Sequence, residues 1–257
     1  MLLWLLITFI AITLLLYVIY VTLIKSDHNP INANKNSKNI CLLVAHPDDE
    51  VMFFGPTIRY LATYNDNKLY VLCMTAGDYY GKGELRKKEM LMSCSNLISN
   101  SKLKDVTIID EPSLPDHPNK EWSQDLCTKI IADYLNKHRI DVLVTFDQDG
   151  ISGHANHCYL NKITRLLKNE NDQFKKLDVF VLSTVNRIRK YMFLFDLIVA
   201  LGHDAAFNRN GLFVVNSFGD FIITIRSMMK HNSQLFWFRW LYIFTSRYMF
   251  INNLEKM

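Results

Sequence analysis

Five short apolar runs punctuate the chain from residue 40 onward: ICLLVA (40–45), LYVLCM (69–74), DVTIID (105–110), DVLVTF (141–146) and DVFVLS (178–183). Continuous apolarity, rather than alternation, is what a strand covered on both faces needs. The segments between the runs, 50–64, 84–100, 122–138 and 155–168, read as helices. Strand–helix alternation of this kind predicts a doubly wound, Rossmann-like parallel sheet with helices on both faces, an α/β fold. Ligands in such sheets bind beyond the carboxyl ends of the strands. The residues directly after each run are therefore the ones to inspect for function. With 257 residues, 49% apolar and 21% charged, the chain has material for one sizeable domain.

Residues 1–24, MLLWLLITFIAITLLLYVIYVTLI, contain no charge. As a helix they would extend about 36 Å, enough to cross a hydrocarbon core of about 30 Å. A cleaved signal peptide wants a basic start, a shorter apolar stretch and an A-x-A site, and none is present. A transmembrane anchor over 1–24 is the expectation. Lys25, Lys35 and Lys38 follow it and nothing basic precedes it, which by the positive-inside rule sets the rest of the chain in the cytosol. The lack of any N-x-S/T acceptor agrees. Residues 25–39 read as a flexible linker and 40–257 as the cytosolic domain.

The net charge of +4 is modest and no long basic block occurs, so no nucleic-acid partner is indicated. No G-x-G-x-x-G follows the first run, which argues against a nucleotide cofactor. The five cysteines are odd in number and form no C-x-x-C, the pattern of reduced core thiols. Toward the C-terminus, YMFLFDLIVALG (191–202) contains Asp196, and SQLFWFRWLYIFTSRYMFI (233–251) is interrupted by Arg239 and Arg247. The second stretch reads as an amphipathic element, packed on the domain or lying at a membrane surface.

After the first run comes HPDDE (46–50). A proline and acids at a helix start account for Pro47, Asp48, Asp49 and Glu50, because carboxylates favour the positive end of the helix dipole. They leave His46 unexplained. After the fourth run comes DQDGISGHANH (147–157), in which His154 and His157 are three apart at a helix start and share a face. Alone, each segment has an ordinary structural explanation. Together they follow strands at one edge of the sheet, so one crevice would hold His46, Asp48, Asp49, His154 and His157. Two histidines and one aspartate meet the need of a catalytic zinc, leaving an acid and a histidine for proton transfer and charge stabilisation.

AHPDDE with GHANH resembles the PIG-L/LmbE-like family of zinc-dependent de-N-acetylases. The likeness continues through TAGDYYGKGELRKKE (75–89), LPDHP (114–118) and TFDQDGISGHANH (145–157). The N-terminal anchor and MMKHNSQLFWFRWLYIFTSRYMFIN (228–252) look like its eukaryotic branch. That branch removes the N-acetyl group from N-acetylglucosaminyl-phosphatidylinositol (GlcNAc-PI), the second step of glycosylphosphatidylinositol anchor synthesis, at the endoplasmic reticulum membrane. The resemblance implies a Zn2+ cofactor, or another divalent metal in its place, held by His46, Asp49 and His157. It implies Asp48 as general base and His154 as the residue that protonates or stabilises the tetrahedral intermediate. Arg86 falls where the family contacts substrate. Asp116, in a proline-bounded loop, and His231 are further candidates for the substrate pocket, and Tyr79 and Tyr80 could contact sugar. The implied partners are the membrane glycolipid and the lipid bilayer. Some bacterial relatives carry an acid where this chain has Asn156, and a tyrosine where it has Ser152. Two other functions share these residues: de-N-acetylation of a soluble N-acetylated sugar, and a non-catalytic membrane adaptor that keeps the fold.

Overall fold

The computed structural model describes residues 2–20, 31, 37–63, 66–117, 120–204 and 211–257. The five apolar runs become β1 (Asn39–Val44), β2 (Lys68–Cys73), β3 (Leu103–Ile108), β4 (Val142–Phe146) and β5 (Asp178–Leu182). All pair in parallel, in the order β3-β2-β1-β4-β5. β1 and β4 are buried along almost their whole length, as continuous apolarity requires. The chain steps outward on one side through β2 and β3, then crosses back to β4 and steps out on the other side. The reversal between β1 and β4 opens a crevice at their carboxyl ends.

The described α-helices are α1 (Leu2–Ile19), α2 (Asp49–Met52), α3 (Gly55–Thr63), α4 (Gly83–Leu97), α5 (Gln124–His138), α6 (Gly150–Gly153) and α7 (Ala155–Glu170), with the short Arg187–Lys190 and Asp196–Val199, then Phe218–Met228 and Trp237–Thr245, nearer the C-terminus. α3, α4 and helix Phe218–Met228 pack on one another, and α5 packs on α7. Right-handed crossovers put these two groups on opposite faces of the sheet.

The sheet departs from the expected parallel architecture. β6 (Leu212–Val215) and β7 (Ile251–Lys256) extend it to seven strands, with β7 antiparallel to both β5 and β6. The sheet is mixed. INNLEK hides a strand because its asparagines read as loop, yet the Asn252 amide is fully matched. It donates to Phe53 O at 2.9 Å and accepts from Thr57 N at 3.1 Å and Thr57 Oγ1 at 2.7 Å. A buried amide so partnered costs little. The stretch 233–251 is likewise several elements: a 3-10 turn at Asn232–Gln234, helix Trp237–Thr245, a second 3-10 turn at Arg247–Met249, and the start of β7.

Residues expected to span a membrane form α1, about 27 Å long at 18 residues. Among the described residues no helix is long and apolar enough to cross a membrane. Residues 21–24, and the linker apart from Ile31 and 37–39, lie outside those described. Near its end α1 meets the domain. The Tyr17 ring lies 5.6 Å from both Phe218 and Phe250, and Tyr20 donates to Phe213 O at 2.7 Å. The charges that interrupt the late apolar stretches pair inside the core. Arg247 Nη1 is 2.7 Å and Arg189 Nε 2.8 Å from the buried Asp196 carboxylate. All five cysteines are free.

Candidate active site

β1 ends at Val44, and the chain turns sharply through Pro47 into α2. Asp48 takes φ 115°, a left-handed conformation that costs a non-glycine residue energy and needs support from its surroundings. The support is a buried polar group. Glu50 Oε2 accepts from Asp48 N at 3.0 Å, while Oε1 receives Ser93 Oγ at 2.6 Å and faces His231 Nε2 at 2.7 Å. Glu50, Ser93 and His231 are fully buried. Burial works against a charged His231, but the charge of and hydrogen bond to Glu50 prevail and raise its pKa. His231, a candidate for the substrate pocket from sequence, is held by Glu50, which in turn accepts from Asp48 N.

Asp49 closes the same turn. Its Oδ2 accepts from Ala45 N at 3.1 Å and His46 N at 2.9 Å. That oxygen also lies 3.6 Å from His46 Nδ1 and 3.2 Å from His157 Nε2. Burial would raise the Asp49 pKa, but the His157 and His46 rings hold it well below the usual carboxylate range. His157 reaches this point from the first turn of α7. Its ring lies flat on Phe146, centroids 3.9 Å apart, and its Nδ1 faces Gly150 O at 3.2 Å. Gly150, at φ 55°, is needed there, since a Cβ would come 2.8 Å from His157 Cβ. The Asp147 carboxylate ties this loop to the segment that follows β5, accepting from Gly150 N at 2.9 Å and Thr184 Oγ1 at 2.7 Å.

His46 faces two carboxylates. Nδ1 looks toward Asp49, and Nε2 is 3.1 Å from Asp116 Oδ1. Burial opposes the imidazolium, but Asp116 and Asp49 outweigh it and raise His46 to about 9. The Asn156 amide nitrogen also stands 3.0 Å from Nε2; turned over, its oxygen would accept the same proton. Asp116, expected to line the pocket, is thus the partner of His46's outer nitrogen. His154 completes the group, its ring 4.8 Å from His46 and 4.7 Å from His157. Burial and then the neighbouring imidazoles lower His154 to about 4, so it is neutral at pH 7.

These contacts suit a divalent cation. His46 Nδ1, Asp49 Oδ2 and His157 Nε2 are 3.2–3.6 Å apart along the two measured edges. The edge of a tetrahedron with donor bonds near 2.1 Å is about 3.4 Å. Each histidine offers one nitrogen inward and fixes the other on a carboxylate or backbone carbonyl, the support that metal-binding imidazoles need. His157 Nε2 is buried and makes no hydrogen bond among the described residues, nor does His154 Nδ1. His46, His154 and His157 can also bring one nitrogen each within 4.8 Å of one another.

The Asp48 carboxylate lies between two guanidinium ions. Arg86 Nη2 is 3.4 Å from Oδ1 and Arg239 Nη2 is 2.9 Å from Oδ2. Arg86 is itself pinned, donating to Pro47 O at 2.5 Å and Gly77 O at 3.0 Å, with Asp116 at 3.6 Å. A cavity of about 580 Å³ opens over both arginines, walled by Tyr80, Lys82, Gln234, Phe236 and Phe238. Tyr79 is half exposed and packs edge-on to Tyr80 and His117. Arg239 and Glu50 were missed as site residues. Arg239 had one signal, a lone charge inside an aromatic run; Glu50 reads as an ordinary acid of a helix start.

The sequence matches the family described as PIG-L, GlcNAc-PI de-N-acetylase, over residues 41–167. A Bos taurus protein named N-acetylglucosaminyl-phosphatidylinositol de-N-acetylase is 43% identical over 215 residues, 83% of this chain and 81% of its own. The chain belongs to the PIG-L family. A Schizosaccharomyces pombe member, named a probable N-acetylglucosaminyl-phosphatidylinositol de-N-acetylase, is 35% identical over 85% of this chain and 87% of its own. The fold is shared with N,N'-diacetylchitobiose deacetylase from Pyrococcus horikoshii, at TM-score 0.60 and 14% identity, covering 94% of this chain and 91% of that one. The PIG-L match contains His46, Asp48, Asp49, Arg86, Asp116, His154 and His157, whereas His231 and Arg239 lie beyond it.

Proposed function

We propose that this PIG-L enzyme hydrolyses the acetamide of GlcNAc-PI, giving glucosaminyl-phosphatidylinositol and acetate, the second step of glycosylphosphatidylinositol anchor synthesis. One observation carries the reading. Asp48, next in the chain to a carboxylate that stands at tetrahedral spacing from two imidazoles, is held on both oxygens by Arg86 and Arg239, and these two arginines line a cavity of about 580 Å³. His46, Asp49 and His157 would hold zinc, which when bound supplies Lewis acidity and lowers the pKa of a water toward 7. Asp48, not one of the ligands, takes the proton of the water whose oxygen bonds to the acetamide carbon. Arg86 and Arg239 fix the orientation of that carboxylate. Asp116 and Gly150 O hold the outer nitrogens of His46 and His157, so neither ring turns. His154, neutral beforehand, meets the negative charge that develops on the carbonyl oxygen and donates to it. The C–N bond then breaks and the amine leaves with the proton that the water gave up.

On this reading α1 and the apolar residues that continue it hold the enzyme at the endoplasmic reticulum membrane, as a single-pass anchor with the domain in the cytosol. A substrate with two acyl chains cannot leave the bilayer, and tethering keeps the site close to it. De-N-acetylation of a soluble sugar would leave the aromatic wall of Phe236 and Phe238 without use. The test is acetate release from labelled GlcNAc-PI by the purified full chain, with and without chelator, for wild type and Asp48→Ala. Turnover should vanish on chelation, return with zinc, and be lost in Asp48→Ala with zinc content intact. Retained turnover in the variant refutes the base assignment, and lost zinc would make Asp48 a ligand.

A further inference from the structure

Helix Trp237–Thr245 has two unlike faces. Inward, Tyr242 and Ile243 are buried and Arg239 reaches Asp48. Outward, Trp237, Leu241 and Phe244, at i, i+4 and i+7, are 75%, 57% and 57% exposed, and Trp240 is exposed beside them. The helix carries no charge other than Arg239, so nothing on its outer face gives charge-based recognition of a protein. Phe236 and Phe238, also about half exposed, continue this surface into the wall of the 580 Å³ cavity. Helix Phe218–Met228 and the residue after it add a second stripe, Phe218, Ile222 and Met229, at i, i+4 and i+11. Its first residue packs on Tyr17 of α1, whose own side chains Trp4, Ile7, Leu14 and Leu15 are exposed. Apolar side chains gathered like this mark an interaction surface.

We infer that the outer face of helix Trp237–Thr245 lies in the interfacial layer of a phospholipid bilayer and holds the mouth of the catalytic cavity against the membrane. This rests on the proposed glycolipid substrate and adds how the enzyme takes it up. Tryptophan and phenylalanine on a helix without outward charge suit the layer between headgroups and acyl chains. Exposed Lys82 in the cavity wall and Lys230, next to Met229, give the same side cations for anionic headgroups. The patch also rims the cavity entrance. A second protein seated there would cover the cavity over Arg86 and Arg239, whereas a bilayer would present the headgroup to it while the acyl chains stay in lipid.

The test uses the full chain reconstituted in vesicles of phosphatidylcholine with a fifth phosphatidylserine, about 20% on the order of cytosolic leaflets. Brominated phospholipids should quench a tryptophan component that disappears in Trp237→Ser. The triple variant Trp237→Ser, Leu241→Ser, Phe244→Ser should lose about tenfold or more of kcat/KM on GlcNAc-PI in vesicles. On a water-soluble GlcNAc-inositol phosphate without acyl chains it should stay within about twofold of wild type, showing that the site is intact. Equal losses on both substrates, or no quenching difference at Trp237, overturn the inference. So does a dimer that Trp237→Ser dissolves, which would give the face to a second copy. If wild type releases acetate from neither substrate, the activity fails while the quenching still reports on membrane contact.

Discussion

The Glu50–His231 pair is the part of the site whose loss can be reckoned most directly. Both side chains are fully buried, 2.7 Å apart, and Glu50 also supports Asp48 N and Ser93. Replacing His231 by alanine leaves a buried carboxylate with only neutral donors, and breaking a buried charge pair in that way costs about 3–5 kcal/mol. His231→Gln returns a neutral donor and should recover part of this, leaving a loss of about 1–2 kcal/mol. The His231 pKa is raised in the folded protein above the ordinary value of about 6.5. Its stabilisation is therefore complete below about pH 6.5 and fades as pH rises through the raised value. Chemical denaturation of the solubilised full chain should thus show the widest gap between wild type and His231→Ala near pH 6, and a narrower one toward pH 9. In acetate release, kcat should fall more than KM rises, since His231 reaches the crevice only through Glu50 and Asp48. Unchanged stability with a raised KM would refute this and return His231 to direct substrate contact.

Other consequences are simpler. Gly77→Ala sets a Cβ 2.5 Å from Arg86 Nη1 at φ 71°, so Arg86 must leave Asp48; kcat/KM should fall about tenfold or more, and retention of wild-type kinetics would contradict the clamp. Arg239→Gln frees Asp48 Oδ2, with the same expectation for kcat, while Arg239→Lys should recover only part because the fork is lost. Asp196→Asn or Arg247→Met singly should destabilise by about 3–5 kcal/mol, read by denaturation. An apolar replacement of Asp196, Arg189 and Arg247 together should cost less than either single change, and an additive loss would count against burial of the whole cluster.

The core of the sheet and the gathering of His46, Asp49, His154 and His157 were legible because both rest on local signals. Continuous apolar runs mark β1 to β5, and HPDDE and GHANH stand where two of those strands end. What sequence could not show was anything made by pairing distant polar residues. β7 is a strand whose asparagines look like loop until Thr57 and Phe53 O are beside Asn252. Asp196 and Arg247 read as interruptions of apolar stretches, and they are each other's partners. Asp116 and His231 were candidates for the substrate pocket, and their protein neighbours could not be read from sequence, because a side chain's direction is not encoded by spacing. One stands on His46 and the other on Glu50.

The division of the site along the chain has a chemical logic. His46, Asp49 and His157, the residues proposed to hold a cation, lie within residues 41–167, the span matched by the family. Asp48 is secured from both sides of that boundary: Glu50 on its N–H and Arg86 on Oδ1 lie within the span, while His231 behind Glu50 and Arg239 on Oδ2 come from beyond it. A cation needs only ligands at fixed spacing, and one strand end with one helix start can set that. A base in a strained turn needs its backbone and both its oxygens held, which takes contacts from several directions. Helix Trp237–Thr245 supplies one of them and the rim of the cavity as well, so the segment that faces the substrate also orients the carboxylate. Loosening that helix should then lower turnover even with the cation fully bound.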